Sequence, residues 1–266
     1  MTKIGIIGLG NMGEAILQAL LKKGTHKTSL YVAEKQSARA SFIMKTYGIK
    51  CHKKPEDVAK NAEYVILAVK PQDSRSVLQA VGPFLTENKV LISIMAGMTT
   101  SNILSLTGKA VKVVRVMPNI CVKVGEGALG LSSNAMVGTH DVEKVKTLFS
   151  WMGKTVEVGE ELMDAVTALG GSGPAFVLLF LEAMIDAGVK MGIPRQKAAL
   201  ISSQVIQGTI KMLETENLHP TIMREMVTSP GGTTIAGLTA LEQGAFKGTV
   251  IRAIEEAWKR SKELSF

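Results

Sequence analysis

Ile4-Gly5-Ile6-Ile7-Gly8-Leu9-Gly10-Asn11-Met12-Gly13 opens the chain and decides its architecture. A short apolar run passes straight into Gly8-x-Gly10-x-x-Gly13, and a helical pattern follows over residues 14–22. Strand, glycine turn and helix in that order are what a dinucleotide-binding βαβ unit requires. Gly8 suits the tight turn, Gly10 lets the backbone approach a pyrophosphate, and Gly13 lets the helix pack closely on the strand. The N-terminus of the helix then faces the phosphates, where its unpaired N–H groups favour an anion.

Working outward, strand-like and helix-like segments alternate to about residue 158. After the first strand at 3–7, strands are expected at 29–33, 64–68, 90–94 and 112–116. Helices are expected near 38–47, 56–61, 74–84 and 100–106. Tyr64-Val65-Ile66-Leu67-Ala68 shows no alternation of apolar and polar residues, which is how a strand covered on both faces reads. Repeated βα units imply a parallel, doubly wound sheet with right-handed crossovers. Two more strands, at 128–131 and 155–158, flank a helix near 141–152 and extend the sheet edge in a direction the pattern leaves open. After Gly159 only helical patterns remain, at 162–169, 175–191, 195–213, 221–227, 233–242 and 246–264. Pro174, Pro194 and Pro220 sit near helix starts, where a missing N–H costs least. The sequence thus predicts a Rossmann-type α/β domain with a mainly parallel sheet over 1–160, followed by an all-α domain over 161–266.

Composition narrows the function classes. The formal charge is +8, but the basic residues are scattered and no aromatics are interleaved with them. This argues against nucleic acid and suits a protein that collects an anionic cofactor and substrate. Cys51 and Cys121 make no disulfide framework, and the four histidines lack metal-ligand spacing, so no metal site is expected. No uncharged run reaches the roughly 18–20 residues that cross a bilayer, so no membrane span and a cytoplasmic location are expected. Residues 175–181 are apolar on every face of a helix. Such a helix seeks burial all round, which a small bundle alone cannot supply, so a homodimer is expected.

The strand ends carry the candidate site. Glu34 follows the second strand at the distance where an acidic residue binds the ribose 2′-hydroxyl of NAD. Lys35 and Arg39 beside it could instead neutralise the 2′-phosphate of NADP, and the choice stays open. Ala68-Val69-Lys70-Pro71 and Ile94-Met95-Ala96-Gly97 end two further strands and should face the cofactor. In the helical half, Gly170-Gly171-Ser172-Gly173-Pro174 opens the apolar helix, with Ser172 placed to cap it. Thr228-Ser229-Pro230-Gly231-Gly232-Thr233-Thr234 precedes another helix; its backbone N–H groups and hydroxyls make a carboxylate receptor. No acid–base pair stands out. Hydride transfer from a nicotinamide to an imine needs none, only a hydroxyl to orient the nitrogen.

On these residues the chain resembles the Δ1-pyrroline-5-carboxylate reductase family from end to end. The likeness rests on the glycine turn, Ala68-Val69-Lys70-Pro71, Met117-Pro118-Asn119, Ser172-Gly173-Pro174-Ala175, Lys190-Met191-Gly192-Ile193-Pro194 and Ser229-Pro230-Gly231-Gly232-Thr233-Thr234. It implies reduction of a cyclic imino acid to L-proline with NADPH or NADH, and a C-terminal helical domain that dimerises, with dimers commonly assembling to decamers. It implies that Thr234 hydrogen-bonds the ring nitrogen, and that Ser229, Gly232 and Thr233 hold the substrate carboxylate. Glu160 is a further substrate contact by position. The cofactor would be lined by Ile7, Gly8, Leu9, Gly10, Asn11, Met12, Gly13, Glu34, Lys35, Ala68, Val69, Lys70, Pro71, Met95, Ala96 and Gly97. Three positions depart from the family pattern: Ile120-Cys121-Val122 stands where Thr-Pro is frequent, Glu34 where Ser or Thr is usual, and Met226 where some members have Asn. The alternatives are a related imine reductase and a β-hydroxyacid dehydrogenase; the latter would carry a lysine early on the long apolar helix, where this chain has none before Lys190. A dinucleotide-sensing regulator would be expected to have lost the Ser229–Thr234 turn, which is intact.

Overall fold

The computed structural model describes residues 1–264. Strands β1 (Ile4–Ile7), β2 (Leu30–Ala33), β3 (Cys51–His52), β4 (Tyr64–Leu67), β5 (Val90–Ser93), β6 (Lys112–Met117), β7 (Gly127–Ser133) and β8 (Gly153–Glu157) form one sheet. Its order is β3-β2-β1-β4-β5-β6-β7-β8. Every neighbouring pair is parallel except β6–β7, so β7 turns back and β8 runs alongside it. Chain order reverses at β1, whose last residue, Ile7, lies in register with both Ala33 and Leu67. The carboxyl ends of β1, β2 and β4 are therefore level, and they form the crevice where open α/β sheets bind ligands.

The covering helices are α1 (Asn11–Lys22), α2 (Ser37–Tyr47), α3 (Pro55–Asn61), α4 (Ser74–Val81), α5 (Thr100–Thr107) and α6 (Thr139–Phe149). They bury both faces of the sheet. Ile66 and Ile92 join Ile6, Ile16 and Phe149 in one core, while Val65, Leu67 and Leu91 join Ile7 and Leu78 in the other. Adjacent residues of a strand point to opposite faces, and here each face needs an apolar side chain. That is why the strand sequences do not alternate.

The structure departs from the sequence pattern at several places. Two-residue β3 is too short to carry a periodic signal. The helix expected to reach residue 84 ends at Val81, and Gly82–Phe84 form a tighter turn around Pro83. The helix expected at 162–169 is only a short α7 (Met163–Val166), followed by a π turn at Thr167–Gly171. Ser172 then adopts right-handed helical backbone and leads directly into α8 (Gly173–Lys190), so it does not cap that helix. A capping residue needs extended backbone, which Ser172 lacks.

By compactness the chain forms two units, Met1–Ser172 with the end of the chain from Ala257, and Gly173–Glu256. The first unit reaches past residue 160 because Glu160 and Asp164 are bonded into it. Arg115 pairs with Glu160, and Ser261 Oγ donates to Asp164 Oδ1 at 2.7 Å. The second unit holds α8, α9 (Arg195–Glu216), α10 (Pro220–Met226), α11 (Thr233–Gln243) and most of α12 (Phe246–Leu264). Gly188 lets α8 approach Ala198 of α9: a Cβ there would stand 2.9 Å from the Ala198 Cβ. Most of the apolar surface of this unit is uncovered, with Leu178 62% and Leu179 68% exposed. By length and composition alone, the stretch Glu160–Lys190 would also suffice to cross a membrane.

Candidate active site

The three glycines of the first turn act for three different reasons. Gly8 has φ +91°, and a Cβ there would lie 2.7 Å from the Ala68 carbonyl oxygen, so both backbone and space require glycine. A Cβ on Gly13 would run into the Gly8 carbonyl oxygen, because α1 presses against the turn itself. Gly10 has ordinary extended backbone, and a Cβ on it would meet nothing within 4 Å. Its missing side chain leaves open space at the N-terminus of α1, on a cavity of about 560 Å³. The helix N-terminus and the open space beside Gly10 fit a dinucleotide diphosphate.

Around this cavity the structure gathers Ile7, Gly8, Gly10, Asn11, Glu34, Lys35, Ala68, Val69 and Lys70 from the predicted set. Leu9, Met12 and Gly13 stand behind the lining: Leu9 is fully buried, and Gly13 packs on the turn. Pro71 starts a short turn and lines a neighbouring depression with Ser74 and Met98. Met95 is buried in the core, whereas Ala96 is exposed and Gly97 has φ +73°. Sequence reasoning missed Lys53, Gln72, Asp73, Ser76 and Val77 of the lining. Lys53 follows β3, which was itself unrecognised, Gln72 and Asp73 lie in the turn after β4, and Ser76 and Val77 sit at the start of α4.

A hydrogen-bonded web fixes the side chains that follow β2. Glu34 Oε2 accepts the Leu9 N–H and Oε1 accepts the Gln36 N–H, both at 2.9 Å. Arg39 Nε donates to the Leu9 carbonyl at 2.7 Å and its Nη2 pairs with Glu14. Tyr47 donates to Glu14 Oε1 at 2.6 Å and accepts from Gln18 Nε2 at 2.6 Å. Burial alone would raise the Glu14 carboxyl, but the hydrogen bonds from Tyr47 and Arg39 outweigh it and hold the group below its ordinary value. Lys35 Nζ reaches Asp73 Oδ1 at 2.7 Å.

Glu160 is held in place from several directions. Oε1 accepts the Thr100 N–H at 2.7 Å and Arg115 Nη1 at 2.9 Å, and Oε2 accepts the Thr100 hydroxyl. Burial pushes this carboxyl up, yet the Thr100 and Arg115 interactions prevail and hold it below its ordinary value. The network ties the chain after β8 to the N-terminus of α5. Asn119 plays a related part, donating from Nδ2 to the Gly170 carbonyl at 3.0 Å and accepting the Cys121 N–H at 3.1 Å. This joins Met117-Pro118-Asn119 to the glycine-rich π turn.

In the second unit, Ser229 to Thr234 form a closed turn between α10 and α11. The Gly232 N–H donates to the Ser229 carbonyl at 3.1 Å, and Gly231 has φ +67°. Gly232 stands at the N-cap of α11 without a side-chain cap, so the first N–H groups of that helix face outward unclaimed by a capping side chain. Ser229 and Thr233 are exposed and Thr234 is half-buried. The turn thus offers backbone donors and three hydroxyls on one short segment, chemistry that suits a small carboxylate.

Residues 160–264 match the family described as pyrroline-5-carboxylate reductase dimerisation, and residues 3–97 match that described as NADP oxidoreductase coenzyme F420-dependent. The chain is 39% identical over 264 residues to a pyrroline-5-carboxylate reductase of Synechocystis, covering 98% of each. It superposes on the Plasmodium falciparum pyrroline carboxylate reductase with NADP bound at a TM-score of 0.89 and 34% identity, covering 100% of this chain and 98% of that one. A pyrroline-5-carboxylate reductase from Coxiella burnetii gives a TM-score of 0.94 at 32% identity, covering 100% and 99%.

Proposed function

The chain belongs to the pyrroline-5-carboxylate reductase family, and from that premise we propose how its residues divide the work. It is an oxidoreductase that reduces Δ1-pyrroline-5-carboxylate to L-proline with NAD(P)H, in proline biosynthesis, and it forms a homo-oligomer. The bound nicotinamide supplies the hydride. The turn residues Ile7 to Gly13, with Gly10 at the centre, hold the diphosphate, while Glu34 and Lys35 meet the adenosine ribose. Ala68, Val69, Lys70 and Pro71, with Met95, Ala96 and Gly97, line the rest of the cofactor's path. Ser229, Gly232 and Thr233 grip the substrate carboxylate through hydroxyls and backbone donors. With Met226 where some relatives have Asn, the backbone carries more of that load. The Thr234 hydroxyl orients the ring nitrogen, which takes its proton from solution. Glu160 sits at the substrate's edge, its carboxylate already set by Thr100 and Arg115.

The observation that carries this reading is the empty space at Gly10, at the start of α1 and at the strand-order reversal. The domain reading is a cofactor domain over 1–160 and a substrate-binding, dimerising domain over 161–266. We assign the uncovered apolar face of α8 to a second copy of the chain rather than to lipid, with dimers assembling to a decamer. The chain works in the cytoplasm, where its two unpaired thiols stay reduced. The test is to supply the imino acid and follow oxidation of NADH and NADPH side by side, with L-proline as the product. Failure of both coenzymes to be oxidised overturns the reading, and sedimentation shows whether the particle is a dimer or larger.

A further inference from the structure

We propose that Glu34 makes this chain select NADH over NADPH. The inference rests on the cofactor reading above and goes beyond it: the family matched over residues 3–97 and a solved relative are both described with NADP, whereas the residues of this chain favour NADH. Glu34 follows β2, at the strand end where an adenosine ribose lies in a dinucleotide crevice. Its two oxygens are each fixed by a backbone N–H, from Leu9 and from Gln36. The side chain therefore cannot swing aside without costing the Leu9 N–H, on a buried residue, its partner. Each oxygen keeps a second lone pair, which suits the 2′-hydroxyl of NADH as a donor. A 2′-phosphate is an acceptor only, with a charge of about −1.5 to −2, and would meet that fixed carboxylate directly.

The two cations of the web around Glu34 are engaged. Arg39 is held by the Leu9 carbonyl and by Glu14, and Lys35 by Asp73. In this web, three carboxylates (Glu14, Glu34, Asp73) face two cations (Lys35, Arg39). A 2′-phosphate would have to take a cation from its carboxylate, or recruit Lys53 or Lys70 from the same cavity lining. The 2′-hydroxyl of NADH needs neither.

The test reads binding by calorimetry, without substrate. The intact protein should bind NADH at least about tenfold tighter than NADPH, and should lose affinity for the 2′-deoxy analogue of NADH several-fold. Glu34→Ser, and Glu34→Gln as the variant that keeps the shape, should shrink or invert the NADH preference by about tenfold or more. Equal or tighter NADPH binding by the intact protein overturns the proposal. If Lys53→Ala or Lys70→Ala then abolishes NADPH binding, that lysine sets the choice instead. An unaltered ratio in both Glu34 variants, or a 2′-deoxy analogue that binds as well as NADH, also overturns it. A protein that binds NADH in the expected order yet does not oxidise it with the imino acid refutes the functional reading and leaves this inference standing.

Discussion

The two compact units treat the same kind of side chain in opposite ways. In the first, Ile6, Val32, Ile66 and Leu91 lie on strands and are completely buried between sheet and helices. In the second, Leu178 and Leu179 lie on the most apolar helix of the chain and are mostly exposed. Burying a leucine contributes about 1.5–3 kcal/mol, so the first unit draws that stabilisation from its own chain. The second does not, and its residues fall in the segment that matches the pyrroline-5-carboxylate reductase dimerisation family. One unit covers its own core, and the other, in the reading proposed above, is half of a shared one. Hydropathy alone does not separate them. What separates them is whether a second layer of the same chain is available to cover the apolar face.

The comparison breaks most sharply at the glycine turn. Gly13→Val should collapse the first unit, because its side chain meets the Gly8 backbone; loss of soluble protein or of more than about 3 kcal/mol in thermal or denaturant unfolding is expected. Gly10→Val should fold normally, since its Cβ meets nothing, yet bind NADH and NADPH at least about a hundredfold more weakly by calorimetry. Equal tolerance at both positions would show that the turn is not pressed between α1 and a ligand. Next comes the other unit: Leu178→Glu with Leu179→Glu should split the oligomer in sedimentation and abolish turnover, while the first unit keeps its coenzyme affinity. An undisturbed oligomer would mean that this face is covered by something else.

Smaller effects sharpen the division of labour. Thr234→Ala should lower turnover by about 10–100-fold with coenzyme affinity unaltered, and full activity would remove its hydroxyl from the reaction. The smallest effect concerns Glu160. Its carboxyl is held below the ordinary 4.5 in the folded chain, so the group stabilises the fold above that value. The contribution disappears as pH falls from 4.5 through the lowered folded value. Melting of the intact protein should therefore fall more steeply with acid than that of Glu160→Gln, by about 1 kcal/mol after solvent screening. Parallel melting curves would deny the Arg115–Glu160 link a stabilising role.

Much of this was readable in the residues. Long strands and helices announced themselves through apolar runs and period, and β1, β2, β4, β5 and β6 lie within a residue of where those runs place them. Elements without a pattern of their own escaped. Two-residue β3 is too short for periodicity, and with it went Lys53. The π turn at Thr167–Gly171 packs beside Met117 and is bonded by Asn119, partners some fifty residues away that local sequence does not encode.

The sequence by itself determined the order of strands and helices, the glycine cradle, the hydroxyl-rich turn and the family, because each depends on residues that are neighbours along the chain. Only the tertiary structure decided that β7 runs against β6, that Arg39 serves Glu14 and Leu9, that Glu34 is fastened by two backbone donors, and that Glu160 is gripped by Thr100 and Arg115. Those partners lie 25 to 60 residues apart where the contacts are longest. A charge or hydrogen bond acts over a few ångströms of space, so its partner is chosen by the fold and not by the spacing of letters.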